Sequence, residues 1–260
     1  MTLEAPAIPD DTVARQRSRP NRNESRKPGT APGEAAALDA PPELPREAPR
    51  EAWQGAFPLH SERQITRARH TIYRAGDELG GILFVYSGWA ARVRRLSDGR
   101  RQILSFILPG DLVSASAIFS DRLGFFVEAI TDVRYSISQR AQVDEILARD
   151  PQLMRTLVSA CLAEQAEVEE LATDLGRRRA EERIARLFIQ LKTRLAARGQ
   201  ISGLSFDMPL RQQHIADATG MTVIHVGRVL AALRSDGILQ MAGGTLTITD
   251  LAALQRLSDV

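Results

Sequence analysis

The stretch Leu210–Leu239 constrains the chain more than any other, because its residues leave room for one local architecture. Ile215, Ala216 and Ala218 give a first short helix an apolar face. Thr219-Gly220-Met221 follows as a corner, and a tight corner needs the positive φ that glycine adopts without a Cβ penalty. Thr222 is placed to cap a second helix, in which Val226, Val229, Leu230 and Leu233 recur at helical spacing and bury one side. The other side carries Val223, Ile224, His225, Gly227, Arg228 and Arg234, and Gly237 closes the helix. Ile238-Leu239, Gly243-Gly244 and Thr245–Ile248 then alternate like a two-stranded wing. A second helix presented in this way fits the major groove of DNA.

The charge distribution agrees. The net charge of +2 hides an excess at one end, since Arg177–Val260 holds 12 basic and 7 acidic residues, a net of +5. Phosphate binding requires such an excess on the DNA module, although many solvated surfaces carry as much. One cysteine, Cys161, excludes a disulfide framework or a cysteine-rich metal site within a subunit. His60, His70, His214 and His225 lack metal-ligand spacing, so no metal and no cofactor is expected. No apolar run approaches the roughly 20 residues of a membrane span, and the N-terminus lacks the apolar core of a secretory signal. A cytoplasmic location with no membrane partner is expected. No Walker loop, GxSxG or HExxH occurs, so nothing points to an enzyme.

Residues 1–55 hold nine of the 13 prolines and almost no aromatic residue, which predicts a disordered tail. Its diluted basic cluster, Arg15 to Lys27, reads as solvated. From about residue 56 the pattern becomes β. Thr71–Tyr73, Ile82–Tyr86, Ala91–Arg94, Gln102–Phe106, Phe125–Val127 and Tyr135–Ile137 are short runs separated by turn residues such as Asp98-Gly99 and Pro109-Gly110-Asp111. Evenly spaced short strands indicate an antiparallel sandwich or barrel. A long helix starts at Asp150-Pro151, where the acid suits the N-cap and proline the first turn. In it Met154, Leu157, Cys161, Glu164, Val168, Leu171 and Leu175 recur at alternating spacings of three and four. That is a heptad seam. A helix packed on its own domain would show the same stripe. Glu164 is the flaw in the seam, and an edge position reaching solvent is expected for it.

The segment from Ile215-Ala216-Asp217 through Gly220-Met221-Thr222 and Val226-Gly227-Arg228 to Leu233–Ile238 resembles the winged helix-turn-helix of the Crp/Fnr family of bacterial transcription regulators. Tyr73–Asp77, Ser87-Gly88, Asp98–Leu104 and Leu108–Asp111 resemble the family's cyclic-nucleotide-binding-type β-roll. The resemblance implies an α+β fold with a jelly-roll-like β-roll sensor over 56–149, a dimerisation helix over 150–178 and a winged helix-turn-helix over 179–260. It also implies a parallel two-fold seam through Leu157, Cys161, Val168, Leu171 and Leu175, with Cys161 reduced and buried there. In the second helix it places Val223 and Ile224 at base-reading positions and matches Arg228 to the family's arginine, which can donate two bonds to guanine. His225 and Thr222 border that surface. In the first helix, Gln213 matches the residue that meets backbone phosphate, and Arg211 departs from the pattern while adding charge.

The sensor departs from the family's cyclic-nucleotide pattern. Ser114-Ala115 stands where the family has Gly-Glu, and Gly124-Phe125-Phe126 surrounds the expected arginine position. Arg122, the nearest cation, is misplaced by about three residues. A buried phosphate without a cation is strongly disfavoured, so cyclic AMP is not the expected effector. Ser114 and Ser116 are candidates for a small polar pocket with an unknown effector. An iron–sulfur cluster would need more cysteines, and His70 is a better packing or surface residue than a heme ligand.

The expected function is sequence-specific DNA binding by a homodimeric transcription regulator on a palindromic operator. Double-stranded DNA, a second copy of the chain and, by the resemblance, RNA polymerase are its partners. The alternative is a small-molecule-binding module whose helix-turn-helix contacts another protein. A cupin-like enzyme would need a His-carboxylate cluster within the β segment.

Overall fold

The computed structural model describes residues 63–78, 80–120 and 122–259. The tail over 1–55 and His60 lie outside the described residues.

Seven strands form the first half: β1 Arg63–Thr66, β2 Thr71–Tyr73, β3 Gly81–Ser87, β4 Ala90–Arg95, β5 Arg101–Ile107, β6 Phe126–Ala129 and β7 Val133–Gln139. They make two antiparallel sheets, ordered β1-β7-β3 and β2-β6-β4-β5. Leu83, Val85, Ala90, Ile107, Val127, Val133 and Tyr135 belong to the core of this roll. Side chains alternate along a strand, so β3 uses both faces. Leu83 and Val85 join the roll core, while Ile82 and Phe84 join a second cluster on the helices that follow. That double coverage explains its continuous apolar run. β1 carries no apolar alternation, which is why the sequence pattern misses it.

Helix α1, Arg140–Arg149, and the 27-residue α2, Pro151–Arg177, follow. Asp150 caps α2 as expected, accepting from the Gln152 and Leu153 amides at 2.9 and 3.0 Å beside Pro151. The seam needs correcting. Leu157 is completely buried against its own protomer, in a cluster with Ile82, Phe84, Ile118, Val143, Leu147 and Leu153. Leu171 is half-buried, and Leu175 reaches the Gly220 corner, where a Cβ would lie 2.6 Å from its Cδ2. Leu157 is therefore taken up by intrachain packing and is not available to a partner, while Leu175 is half-buried beside the Gly220 corner. Met154 and Cys161 are half-buried beside the same cluster. Val158, Leu162 and Val168 remain 45%, 44% and 48% exposed.

Helix α3, Ala180–Ala196, is amphipathic, with Ile184, Ala185, Phe188, Leu191 and Leu195 buried. It passed unread in the sequence although its spacing is helical. Helix α4, Gln212–Thr219, and helix α5, Val223–Ser235, meet at Gly220, whose φ is +66° as the corner demands. Thr222 Oγ1 accepts the His225 amide at 3.2 Å, confirming the cap. The wing gains a strand over the two expected, with β8 Ser205–Asp207, β9 Leu239–Ala242 and β10 Thr245–Ile248 ordered β8-β10-β9. Helix α6, Leu251–Ser258, closes the described chain.

A single apolar cluster joins the two halves. Trp89, Ala91, Val93, Ile103, Phe106 and Leu108 of the roll share it with Ile184, Phe188, Leu191, Ile215, Val226 and Leu230. Alternation on β4 therefore sends Ala91 and Val93 to the helices and Ala90 to the roll interior. Gln102 Nε2 donates to the Ala218 carbonyl at 3.1 Å, and Arg101 stands 3.6 Å from the Asp217 carboxylate, fixing β5 to α4.

Candidate nucleic-acid interface and sensor pocket

The buried side of α5 is Val226, Val229, Leu230 and Leu233. Helical geometry then leaves Thr222, Ile224, His225 and Arg228 exposed on one surface, with Ile224 71% exposed. An aliphatic side chain that open to solvent on a helix beside an arginine is suited to a thymine methyl, with the guanidinium beside it suited to guanine. Val223 is different from the expectation. It is half-buried and packs on the cluster beneath with Met221, so only part of it faces outward.

At the start of α4, Arg211 and Gln213 are exposed. Gln213 Nε2 donates to Asp217 Oδ1 at 2.6 Å, which leaves its other amide hydrogen for a phosphate oxygen. The Arg211 amide donates to His214 Nδ1 at 3.1 Å, a bond that the neutral ring accepts. Burial, seconded by the Arg101 charge, holds the His214 pKa below the ordinary imidazole range. A lowered histidine pKa means that the unfolded chain binds the proton more readily. The stability that His214 contributes is therefore full above about pH 6.5 and is lost as the pH falls from there through the native value. Urea unfolding between pH 7.5 and 5.5 should show stability falling with pH in the wild type and a shallower fall in His214→Gln. Equal slopes would remove His214 as the cause.

The second site lies where α2 crosses the roll. Ser114 and Ser116 come together as expected, 2.9 Å apart. Their common partner is Glu164, which is turned inward and not toward solvent. Its Oε2 accepts from Ser114 Oγ at 3.0 Å and Ser116 Oγ at 3.3 Å, and its Oε1 accepts from the Ala115 amide at 2.5 Å. Arg92 NH1 stands 3.3 Å from the same carboxylate. The sequence reading missed Arg92, which is only 8% exposed. It is held by Ser105 Oγ at 2.6 Å and Glu167 at 3.2 Å, and its guanidinium lies 5.7 Å from the Phe125 ring centre. The available signal was its place on β4, two residues from the inward Ala90. Arg122 instead pairs with Glu78 at 3.0 Å on the surface. The adjoining cleft measures about 90 Å³, lined by Asp111, Glu164 and Glu167 among others.

Cys161 is half-buried, and burial, with the Glu164 charge second, pushes its thiol pKa up. His70 is exposed, with Nδ1 3.1 Å from the Ala68 carbonyl. No helix among the described residues is long and apolar enough to cross a membrane.

Comparison with known proteins covers both halves. The family model for a cyclic nucleotide-binding domain matches residues 63–150, and that for a Crp-like helix-turn-helix domain matches residues 182–257. The transcriptional activator protein FnrL of Cereibacter sphaeroides is 30% identical over 192 residues, covering 72% of this chain and 77% of that protein. The nitrogen fixation regulation protein FixK of Bradyrhizobium diazoefficiens is 29% identical over 190 residues, covering 72% and 78% respectively. The solved structure of FixK2 from Bradyrhizobium japonicum superposes with a TM-score of 0.69 at 26% identity, covering 76% of this chain and 98% of that one. These relatives are regulators and not enzymes, and with both family domains matched in order, the chain belongs to the Crp/Fnr family of DNA-binding transcription regulators.

Proposed function

We propose that the protein acts in the cytoplasm as a homodimer on a palindromic operator and does so without cyclic AMP. The observation that carries this reading is the exposed α5 surface of Thr222, Ile224, His225 and Arg228, supported from below by a fully apolar core. Dimerisation is supported by the outer face of α2. Met154, Val158, Cys161, Gln165, Val168 and Ala172 recur at alternating spacings of four and three, with Met154 and Cys161 at the border of the face its own roll covers and Val158 and Val168 beyond it. Val158 and Val168 on this row are exposed within the single chain. A two-fold dimer through α2 presents two α5 helices to successive major-groove turns, which demands a two-fold related site. Independence from cyclic AMP is supported by the carboxylates of Glu164 and Glu167 beside Arg92, which repel a cyclic phosphate from that cation. Because relatives bear the name transcriptional activator, RNA polymerase is the partner we assign at the promoter.

Selection of bound sequences from random DNA tests the reading. The expected product is an inverted repeat with half-site centres one helical turn, ~34–36 Å, apart or a multiple of it, protected equally with and without cyclic AMP. A single asymmetric half-site would defeat the dimeric reading, and protection only with cyclic AMP would defeat the effector reading.

A further inference from the structure

Glu164 makes more contacts than a structural ion pair needs. One carboxylate from α2 meets a backbone amide, two hydroxyls and a guanidinium, contributed by β4 and by the segment that opens the 3-10 turn Ser116–Phe119. That set of donors is what a protein assembles around a bound anion. Arg92 and Ser114 are both buried, so the cradle is walled by the roll and not improvised on its surface. The sequence makes Glu164 conspicuous for the same reason. Leu157, Glu164 and Leu171 stand seven residues apart on one face of α2, and at the middle position a carboxylate replaces the aliphatic side chain.

We propose that this cradle is an anion site whose resident ligand is the chain's own Glu164, so that α2 is latched to the roll by a tethered carboxylate and not by a diffusible effector. The proposal rests on the cyclic-AMP-independent reading above and supplies its mechanism. A buried guanidinium is costly without a counter-charge, so Arg92 needs an anion whether or not an effector is present. Glu164 is always within reach because the helix carries it. A diffusible anion would have to displace a tethered one and also approach Glu167, while the other cations on the cleft, Arg194 and Arg198, are engaged by Asp111. The remaining cleft, about 90 Å³, is also below the ~300 Å³ at which small-molecule pockets begin. The ligand class that fits the cradle is therefore a short aliphatic carboxylate, the group that Glu164 itself presents.

Chemical rescue of the full-length chain tests this. Glu164→Ala should lower the melting temperature by about 2–12 °C, as expected when the buried Arg92 keeps Glu167 but loses its second carboxylate and the Ala115 amide loses its acceptor. Sodium propionate at tens of millimolar, against sodium chloride at equal ionic strength, should recover at least half of that loss and of any loss in operator affinity. Wild type should not respond, and Arg92→Leu combined with Glu164→Ala should not be rescued. If Glu164→Ala does not fold, Glu164→Gln keeps the shape without the charge and should still melt lower than wild type. An unchanged Glu164→Gln, an unrescued Glu164→Ala, or an equal response of wild type to propionate overturns the latch. A separate titration of wild type with cyclic AMP reports on the parent reading, so the two failures are told apart.

Discussion

Arg228→Ala should bind its cognate operator about 5- to 150-fold more weakly while holding scrambled DNA as well as the wild type. A bidentate arginine–guanine contact contributes about 1–3 kcal/mol against a wrong base. Arg228 is exposed on α5 on the same surface as Ile224, and the buried side of that helix holds Val226, Val229 and Leu233. Because the side chain contributes nothing to the apolar core, its loss should leave the fold intact and the melting temperature within a degree or two. Arg211→Ala is the control. It sits at the N-cap of α4, where a phosphate contact would weaken cognate and scrambled binding by a similar factor. Titrations of each variant against both DNAs at fixed salt give the comparison. If Arg228→Ala keeps full discrimination, Ile224 or the sequence-dependent shape of the operator reads the site instead.

If the chain dimerises through α2 as proposed, Val158→Glu combined with Val168→Glu should yield a monomer, and Leu157→Ala should not. In a parallel two-stranded seam each core residue meets its own mate, so each glutamate faces another across the two-fold axis. Like charges set against each other in an interface cost several kcal/mol. Both valines are about half exposed in the single chain, so the substitutions are tolerated by the protomer itself. Leu157 is completely buried within the protomer, and its truncation should cost about 2–5 kcal/mol of fold stability while the mass stays dimeric. Light scattering over a range of concentrations, with thermal melts on the same samples, separates the two effects. A dimeric mass for the double glutamate variant would place the interface elsewhere.

The two heptad rows on α2 show where sequence reasoning stops. The row through Leu157, Leu171 and Leu175 and the row through Val158, Cys161 and Val168 overlap and both have heptad spacing. Periodicity says that α2 is amphipathic, and nothing local says which adjacent stripe its own roll will take. The roll settles this by packing Ile82, Phe84 and Ile118 against Leu153 and Leu157. The same docking turns Glu164 inward, because it lies seven residues beyond Leu157 on the covered face.

What the sequence by itself determined is what depends on neighbours in the chain. Gly220 at a left-handed corner, Thr222 at a cap, the apolar period of α5 and the turn residues between the strands each act within a few residues, so the helix-turn-helix, most of the roll and the exposed Arg228 were legible before any coordinates. The third wing strand and β1 were not, since short strands with weak alternation owe their pairing to a partner strand far along the chain. Val223 lost part of its outward position to packing on the cluster beneath. The Arg92–Glu164 pair was likewise beyond reach. Each residue alone reads as a solvated charge, and only the crossing of α2 over β4 brings them together. Tertiary structure decided this buried cluster because burying a charge is tolerable only beside a specific opposite charge, and that partner is chosen by the fold and not by sequence proximity.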